Sequence, residues 1–290
     1  MLVLALGCYG NLSNDIFVED ARFYAALPST DAFAFALPEG GGTSETPSDW
    51  YTATVETMAA TGGFLDTVVG GTAVVAQVPP SERGDDYRVW GPGAWDAYPG
   101  SYLQMEMSRT SDLALYTFAF QASPASSGPW TEFTSGTWQP ESSTPWQGEM
   151  TFDYDRLASV TGELEGGLVE ARWDERGRRR VALDVDATIA GTEHRFQAGL
   201  LAEDDGSGRF DFVEDYLVGE DREGEPAIFA SRWDATGAGR TDGLYAGLAF
   251  TACWAPDGSE TWLAVYDEPA FEEGDPDMCP FDDIAQPGGI

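Results

Sequence analysis

The chain has 290 residues, of which 15 are basic and 50 acidic, giving a net charge of −35, and every basic residue is arginine. Such an excess of negative charge repels phosphate backbones, whose binding depends on Lys and Arg neutralising them, so nucleic acid is excluded as a partner. The length suffices to bury a full core as one large domain or two small ones, and after the first residues no stretch reaches the ~18 consecutive apolar residues of a spanning helix.

Residues 1–7 form an apolar run closed by Gly7, after which come Cys8 and a polar, Asn-rich stretch. A short apolar segment ending in a small residue reads as the end of an export signal. Leu6-Gly7-Cys8 resembles the lipobox of bacterial lipoproteins, and the resemblance implies that 1–7 is removed and that Cys8 is acylated. The run is shorter than the roughly 15–30 residues of a whole signal, so the reading frame is expected to begin upstream. Two or more acyl chains give a stable anchor, which makes a membrane the partner through lipid alone.

Residues 8–46 read as the lipidated N-terminus and a tether, with a short helical turn at 19–28, an alternating strand at 32–37 and a loop through Pro38 and Gly40-Gly41-Gly42. The segment 47–80 is helical. Ser48-Asp49 supplies an N-cap for a helix over 50–60, and Gly62-Gly63 is predicted to break it. A second, more apolar helix is predicted over 64–78, with Leu65, Val68, Val69 and Val75 on one face and Pro79-Pro80 as its stop.

From 81 to 268 the pattern changes to period two. Leu103, Met105 and Met107 alternate with Gln104, Glu106 and Ser108; Val181, Leu183 and Val185 alternate with Ala182, Asp184 and Asp186; Met150, Phe152 and Tyr154 alternate with polar residues. Such alternation marks an antiparallel sheet buried on one face. Turn signals recur at hairpin spacing at 126–129, 204–208 and 255–258. Ala171-Arg172-Trp173-Asp174 is echoed by Ser231-Arg232-Trp233-Asp234, so one hairpin recurs. The expected fold is mainly β, a strongly curled antiparallel meander or β-barrel-like sheet of about 10–12 strands. Two N-terminal helices are expected in or on its concave face, and 269–290 is an acidic C-terminal tail.

With Cys8 assigned to lipid, Cys253 and Cys279 remain as one pair, and in an oxidising compartment they are expected to form a disulfide. His194 is the lone histidine and reads as structural. Paired carboxylates at Asp184/Asp186 and Asp153/Asp155 arise by chance among so many acids. Asp234, Thr236 and Asp242 loosely match a calcium loop, a reading that competes with the plain preference of hairpin turns for Asp and Gly. Trp90, Trp95 and Trp130, with Trp138 and Trp146, crowd one stretch and read first as core of the curled sheet, a ligand-facing role for Trp90, Trp95 and Trp130 being the competing reading. Arg176, Arg178, Arg179 and Arg180 form a basic patch, read as an exposed hairpin paired with neighbouring acids.

Glu19-Asp20, Ala25-Ala26-Leu27-Pro28, the 79–83 and 88–92 segments and the Arg-Trp-Asp hairpins are similar to a family of acidic lipoproteins of myxobacteria and their relatives. That resemblance implies no activity. Helices followed by a curled antiparallel sheet also resemble the lipoprotein-carrier fold of the bacterial envelope, which cradles acyl chains. The sequence therefore reads as a lipid-anchored protein of the outer membrane or cell surface, non-enzymatic, that binds an apolar or lipid ligand or serves a structural role. Its oligomeric state is left open. The alternative is a carbohydrate-binding β-sandwich, with exposed aromatics in a row, and after it a glycosidase, which needs two carboxylates ~5–9 Å apart across a cleft.

Overall fold

A helix, α1 (Asp15–Ala25), opens the part of the chain seen in the structure, a computed structural model that describes residues 15–27, 37, 44–75, 78–110, 115–141, 144–176, 178–214, 226–267, 270–283 and 285. A longer helix, α2 (Asp49–Val75), follows. The strands are β1 (Glu82–Arg83), β2 (Tyr87–Ala94), β3 (Tyr102–Arg109), β4 (Tyr116–Ser123), β5 (Thr131–Glu141), β6 (Thr144–Asp153), β7 (Gly166–Asp174) and β8 (Arg179–Ile189). They continue as β9 (Thr192–Ala202), β10 (Gly208–Glu214), β11 (Ala227–Trp233), β12 (Gly239–Tyr245), β13 (Leu248–Trp254), β14 (Glu260–Val265) and β15 (Phe271–Gly274). A third helix, α3 (Tyr154–Thr161), lies between β6 and β7.

Every strand pairs antiparallel with its sequence neighbours, so the described residues form one 15-stranded meander in strict chain order. The mainly β, antiparallel reading holds. Strand number and closure differ from expectation: there are 15 strands rather than about 10–12, and the sheet is neither closed nor strongly curled. β1 and β15 remain separate edges. They are two and four residues long, too short to zip a barrel shut, and each edge is blunted by charge. Arg83 of β1 is paired with Asp20 of α1 at 3.0 Å, and β15 carries Glu272 and Glu273.

Side chains alternate across the sheet. The inner face holds the core, including Trp90, Met105, Phe118, Trp138, Trp173, Leu183, Phe210, Trp233 and Trp254, all at most 3% exposed. Three of these indoles sit opposite glycines: a Cβ on Gly148, Gly208 or Gly239 would meet Trp173, Trp233 or Trp254 at 2.2–2.5 Å. The missing side chains make the slots that the rings fill.

Both N-terminal helices cover this face. Phe23 of α1 is fully buried, with the Arg88 and Arg109 guanidinium groups over its ring at 4.7 and 5.1 Å and Tyr116 edge-on at 5.5 Å. Asp20 accepts from Arg88 at 2.6 Å, and Glu19 pairs with Arg109 at 2.6 Å. In α2, Trp50 stacks on Phe250 of β13 at 3.6 Å, while Phe64 meets Phe196 of β9 edge-on at 5.6 Å. Fourteen residues of helix rise ~21 Å, and four strand spacings cover ~19 Å, so α2 runs nearly perpendicular to the strands.

The expected break at Gly62-Gly63 is absent, and α2 is continuous through both glycines. Thr61 and Leu65 are buried on either side of them, at 3% and 0% exposure, and packing carries the helix across. Val68, Val69 and Val75 have side chains outside the described residues, as do the 32–36 part of the expected strand and Cys8. Tyr154, expected in an alternating strand with Met150 and Phe152, instead opens helix α3. Asp153 caps it by accepting from the Arg156 amide at 2.9 Å, and Gly162, at φ +77°, ends it in the left-handed region.

A buried hydroxyl triad fixes α2 to the sheet. Thr54 Oγ1 lies 2.8 Å from Ser231 Oγ, which lies 2.8 Å from Thr241 Oγ1, and all three residues are fully buried. Thr54 also donates to the Trp50 carbonyl at 2.7 Å. Thr54→Val keeps the volume and removes the hydroxyl. It is expected to lower stability by about 1–2 kcal/mol, because Ser231 retains Thr241 as a partner. Urea unfolding measures this, and an unchanged midpoint would mean that the triad does not hold the helix.

Candidate functional site

Because the helices occupy the inner face, the outer face of β3–β10 is the one the fold presents. Its residues alternate with the buried core set: Thr117, Ala119 and Gln121 with Phe118 and Phe120, and Ala182 and Asp184 with Val181 and Leu183. Over β3–β6 they line a shallow trough of about 430 Å³ that includes Glu106, Ser108, Thr117, Gln121, Ser135 and Glu149. A second hollow of about 210 Å³ crosses β7–β10. The row Arg172, Ala182, Gly199, Asp211 runs through it, and the two small residues form its floor. These surfaces offer hydroxyl, amide and carboxylate groups to a polar partner.

Over β11–β13 the same face is covered by a C-terminal strap, described at residues 276–283 and 285. Cys279 is bonded to Cys253 of β13, with S–S 1.99 Å and Cα–Cα 5.4 Å, as the cysteine count predicts. Beyond the bridge, Arg240 of β12 donates to the Phe281 carbonyl at 2.8 Å. Arg232 of β11 pairs with Asp283 at 3.1 Å and donates to its carbonyl, while its guanidinium lies 4.8 Å over the Phe281 ring. The Ala285 amide donates to Asp242 at 2.9 Å. Outward-facing Ala230, Arg240, Asp242 and Thr251 are thus at most 5% exposed.

The geometry redistributes the calcium candidates. Asp234 Oδ1 accepts from the Thr236 amide at 2.8 Å and its hydroxyl at 2.6 Å, closing its own turn. Asp242 instead sits in β12, where its carboxylate accepts from Arg240, Thr251 and Ala285. The two carboxylates have different partners, and among the described residues no three His, Cys, Asp or Glu side chains converge as metal ligands.

The tryptophan candidates form no exposed row. Trp90 is 2% exposed and donates to the Tyr24 hydroxyl at 3.4 Å. Trp95 is half-buried, stacked on Phe133 at 5.4 Å and edge-on to Tyr98 at 4.5 Å, and Trp130 is half-buried beside Gly128. The Trp146 side chain lies outside the described residues. His194 packs against Phe64 at 5.9 Å. Asp184 accepts from Gln197, Asp186 pairs with Arg195, and Asp153 caps α3. In the basic hairpin, Arg176, Arg178 and Arg179 pair with Asp174, Glu203 and Glu175.

Sequence reasoning missed one titratable cluster. The Tyr98 hydroxyl donates to Glu165, 2.9 and 3.0 Å from its two oxygens. Burial, then that hydrogen bond and the carboxylate's charge, hold the Tyr98 phenol well above its ordinary range. Burial and the charge of Glu165 push Tyr154 up to about 12. Both phenols are favoured neutral in the fold. The contribution of Tyr154 is therefore complete below pH ~10 and is lost as pH rises through about 12, and that of Tyr98 has the same sign and is lost at higher pH. Phenolate absorbance at alkaline pH is expected to show two late-titrating tyrosines that ionise together with unfolding, and in Glu165→Gln Tyr98 is expected to titrate earlier. Ordinary titration of every tyrosine in the intact fold would contradict the cluster.

Comparison with protein families, with curated proteins and with solved structures finds no match to this chain.

Proposed function

We propose that the chain is an exported, non-catalytic component of a bacterial envelope, held on a membrane through lipid at Cys8, with its polar sheet face turned to partners. The observation that carries export is the Cys253–Cys279 bridge, since disulfides form and persist in oxidising compartments. The Leu6-Gly7-Cys8 context adds the anchor. Between the apolar-ligand and structural roles, the filled inner face favours the second. Phe23, Met58 and Leu65 of the two helices are at most 1% exposed and take the place a cradled acyl chain would need. A sugar-binding role would draw on outward aromatics, whereas Trp138, Trp173, Trp233 and Trp254 point inward.

The test is the mass of the N-terminal peptide after expression of the full-length reading frame in a bacterium that processes lipoproteins. The expected peptide begins at Cys8 and carries acyl chains. An unmodified Cys8, or a chain retaining residues 1–7, sinks the anchor.

A further inference from the structure

We infer that the first turn of α1 is a lipid-contact surface, so that the anchored protein rests on the bilayer through Ile16, Phe17 and Val18; this deepens the anchored reading above and rests on it. The three consecutive side chains are 51%, 67% and 48% exposed, whereas most large apolar side chains among the described residues are buried or half-buried. Burial along the helix begins with Glu19 and Asp20. Arg83, Arg88 and Arg109 clamp those carboxylates, and Phe23 is locked beneath the guanidinium groups. The apolar turn is therefore held rigidly outward and cannot fold back onto the sheet.

What covers it follows from its place in the chain. Asp15 lies seven positions after Cys8, a span that at ~3.3–3.6 Å per residue reaches ~25 Å at most. A lipid on Cys8 would thus keep this turn beside the bilayer at high effective concentration, where contacts too weak to recruit a free protein still set its orientation. Ile, Phe and Val are suited to the boundary between headgroups and acyl chains. The surrounding charge narrows the lipid class. The whole chain carries −35, so zwitterionic headgroups fit and anionic ones are repelled.

The experiment attaches the protein chemically. With Cys253 and Cys279 oxidised, the Cys8 thiol of the full chain is coupled to a maleimide lipid in phosphatidylcholine vesicles that contain a photoactivatable phosphatidylcholine, and adducts are mapped by mass spectrometry. Adducts are expected to concentrate at Ile16, Phe17 and Val18. They should fall when phosphatidylglycerol replaces part of the lipid, and be lost in the Ile16→Gln/Phe17→Gln/Val18→Gln variant at unchanged melting temperature. Adducts spread evenly over the chain, or absent from these residues, overturn the proposal. So does a dimer in lipid-free solution that the triple variant abolishes, because the turn would then belong to a second copy. Since the tether is synthetic, the outcome is independent of whether a cell acylates Cys8.

Discussion

Asp242→Ala is expected to destabilise the protein by about 3–5 kcal/mol, the range for removing one partner of a buried ion pair. Asp242 is 3% exposed and Arg240 5%. The carboxylate accepts from Arg240 Nε at 2.9 Å, from Thr251 Oγ1 at 2.7 Å and from the Ala285 amide at 2.9 Å. Truncation leaves a guanidinium desolvated under the strap with the Phe281 carbonyl as its one remaining acceptor in this cluster. The strap should loosen as well, since Ala285 loses its acceptor while Cys279 stays bonded, so amide exchange over 281–285 is expected to quicken more than over 276–279. Arg240→Met/Asp242→Leu removes both charges together and is expected to recover most of the loss. A single variant with the wild-type urea midpoint would mean that the pair is solvated and the strap undocked.

The sequence carries a signal for this cluster. Arg209 and Asp211 on β10, and Arg240 and Asp242 on β12, are each two residues apart, so each pair shares one face of a strand. Both pairs close, Arg209 on Asp211 at 2.7 Å and Arg240 on Asp242 at 2.8 Å. Turn-like spacing groups Asp242 with Asp234, whereas strand periodicity pairs it with Arg240.

What was legible was local. The turns at 203–207, 234–238 and 255–259 share one backbone hydrogen-bond pattern, with Gly206, Gly237 and Gly258 at φ +84 to +90°. Turn chemistry that demands glycine is visible in any window of five residues. Trp173 and Trp233 do occupy matching places, each facing a glycine of the neighbouring strand. Closure was not legible. Whether a meander curls shut depends on its terminal strands, and Glu82–Arg83 and Phe271–Gly274 are too short to announce themselves by alternation. Nor was what receives the inward tryptophans, which are expected as core. Their slots are glycines on neighbouring strands, and register alone brings the two together.

Leu65→Asp is expected to unfold the protein or come close to it. Leu65 is fully buried in α2, beyond the two glycines where local propensity places a helix stop. An aspartate there must either stay charged without a partner or take up a proton, and either course costs several kcal/mol, against a total stability of ~5–15 kcal/mol. A second variant separates burial from helix propensity. Gly63 has open space where a Cβ would stand, so Gly63→Ala should stabilise by ~0.8–1 kcal/mol if the helix truly runs through that position. A tolerated Leu65→Asp, with Gly63→Ala neutral or harmful, would mean that α2 ends near Thr61. The inner face beyond it would then be open, and the ligand-cradling role would displace the structural one.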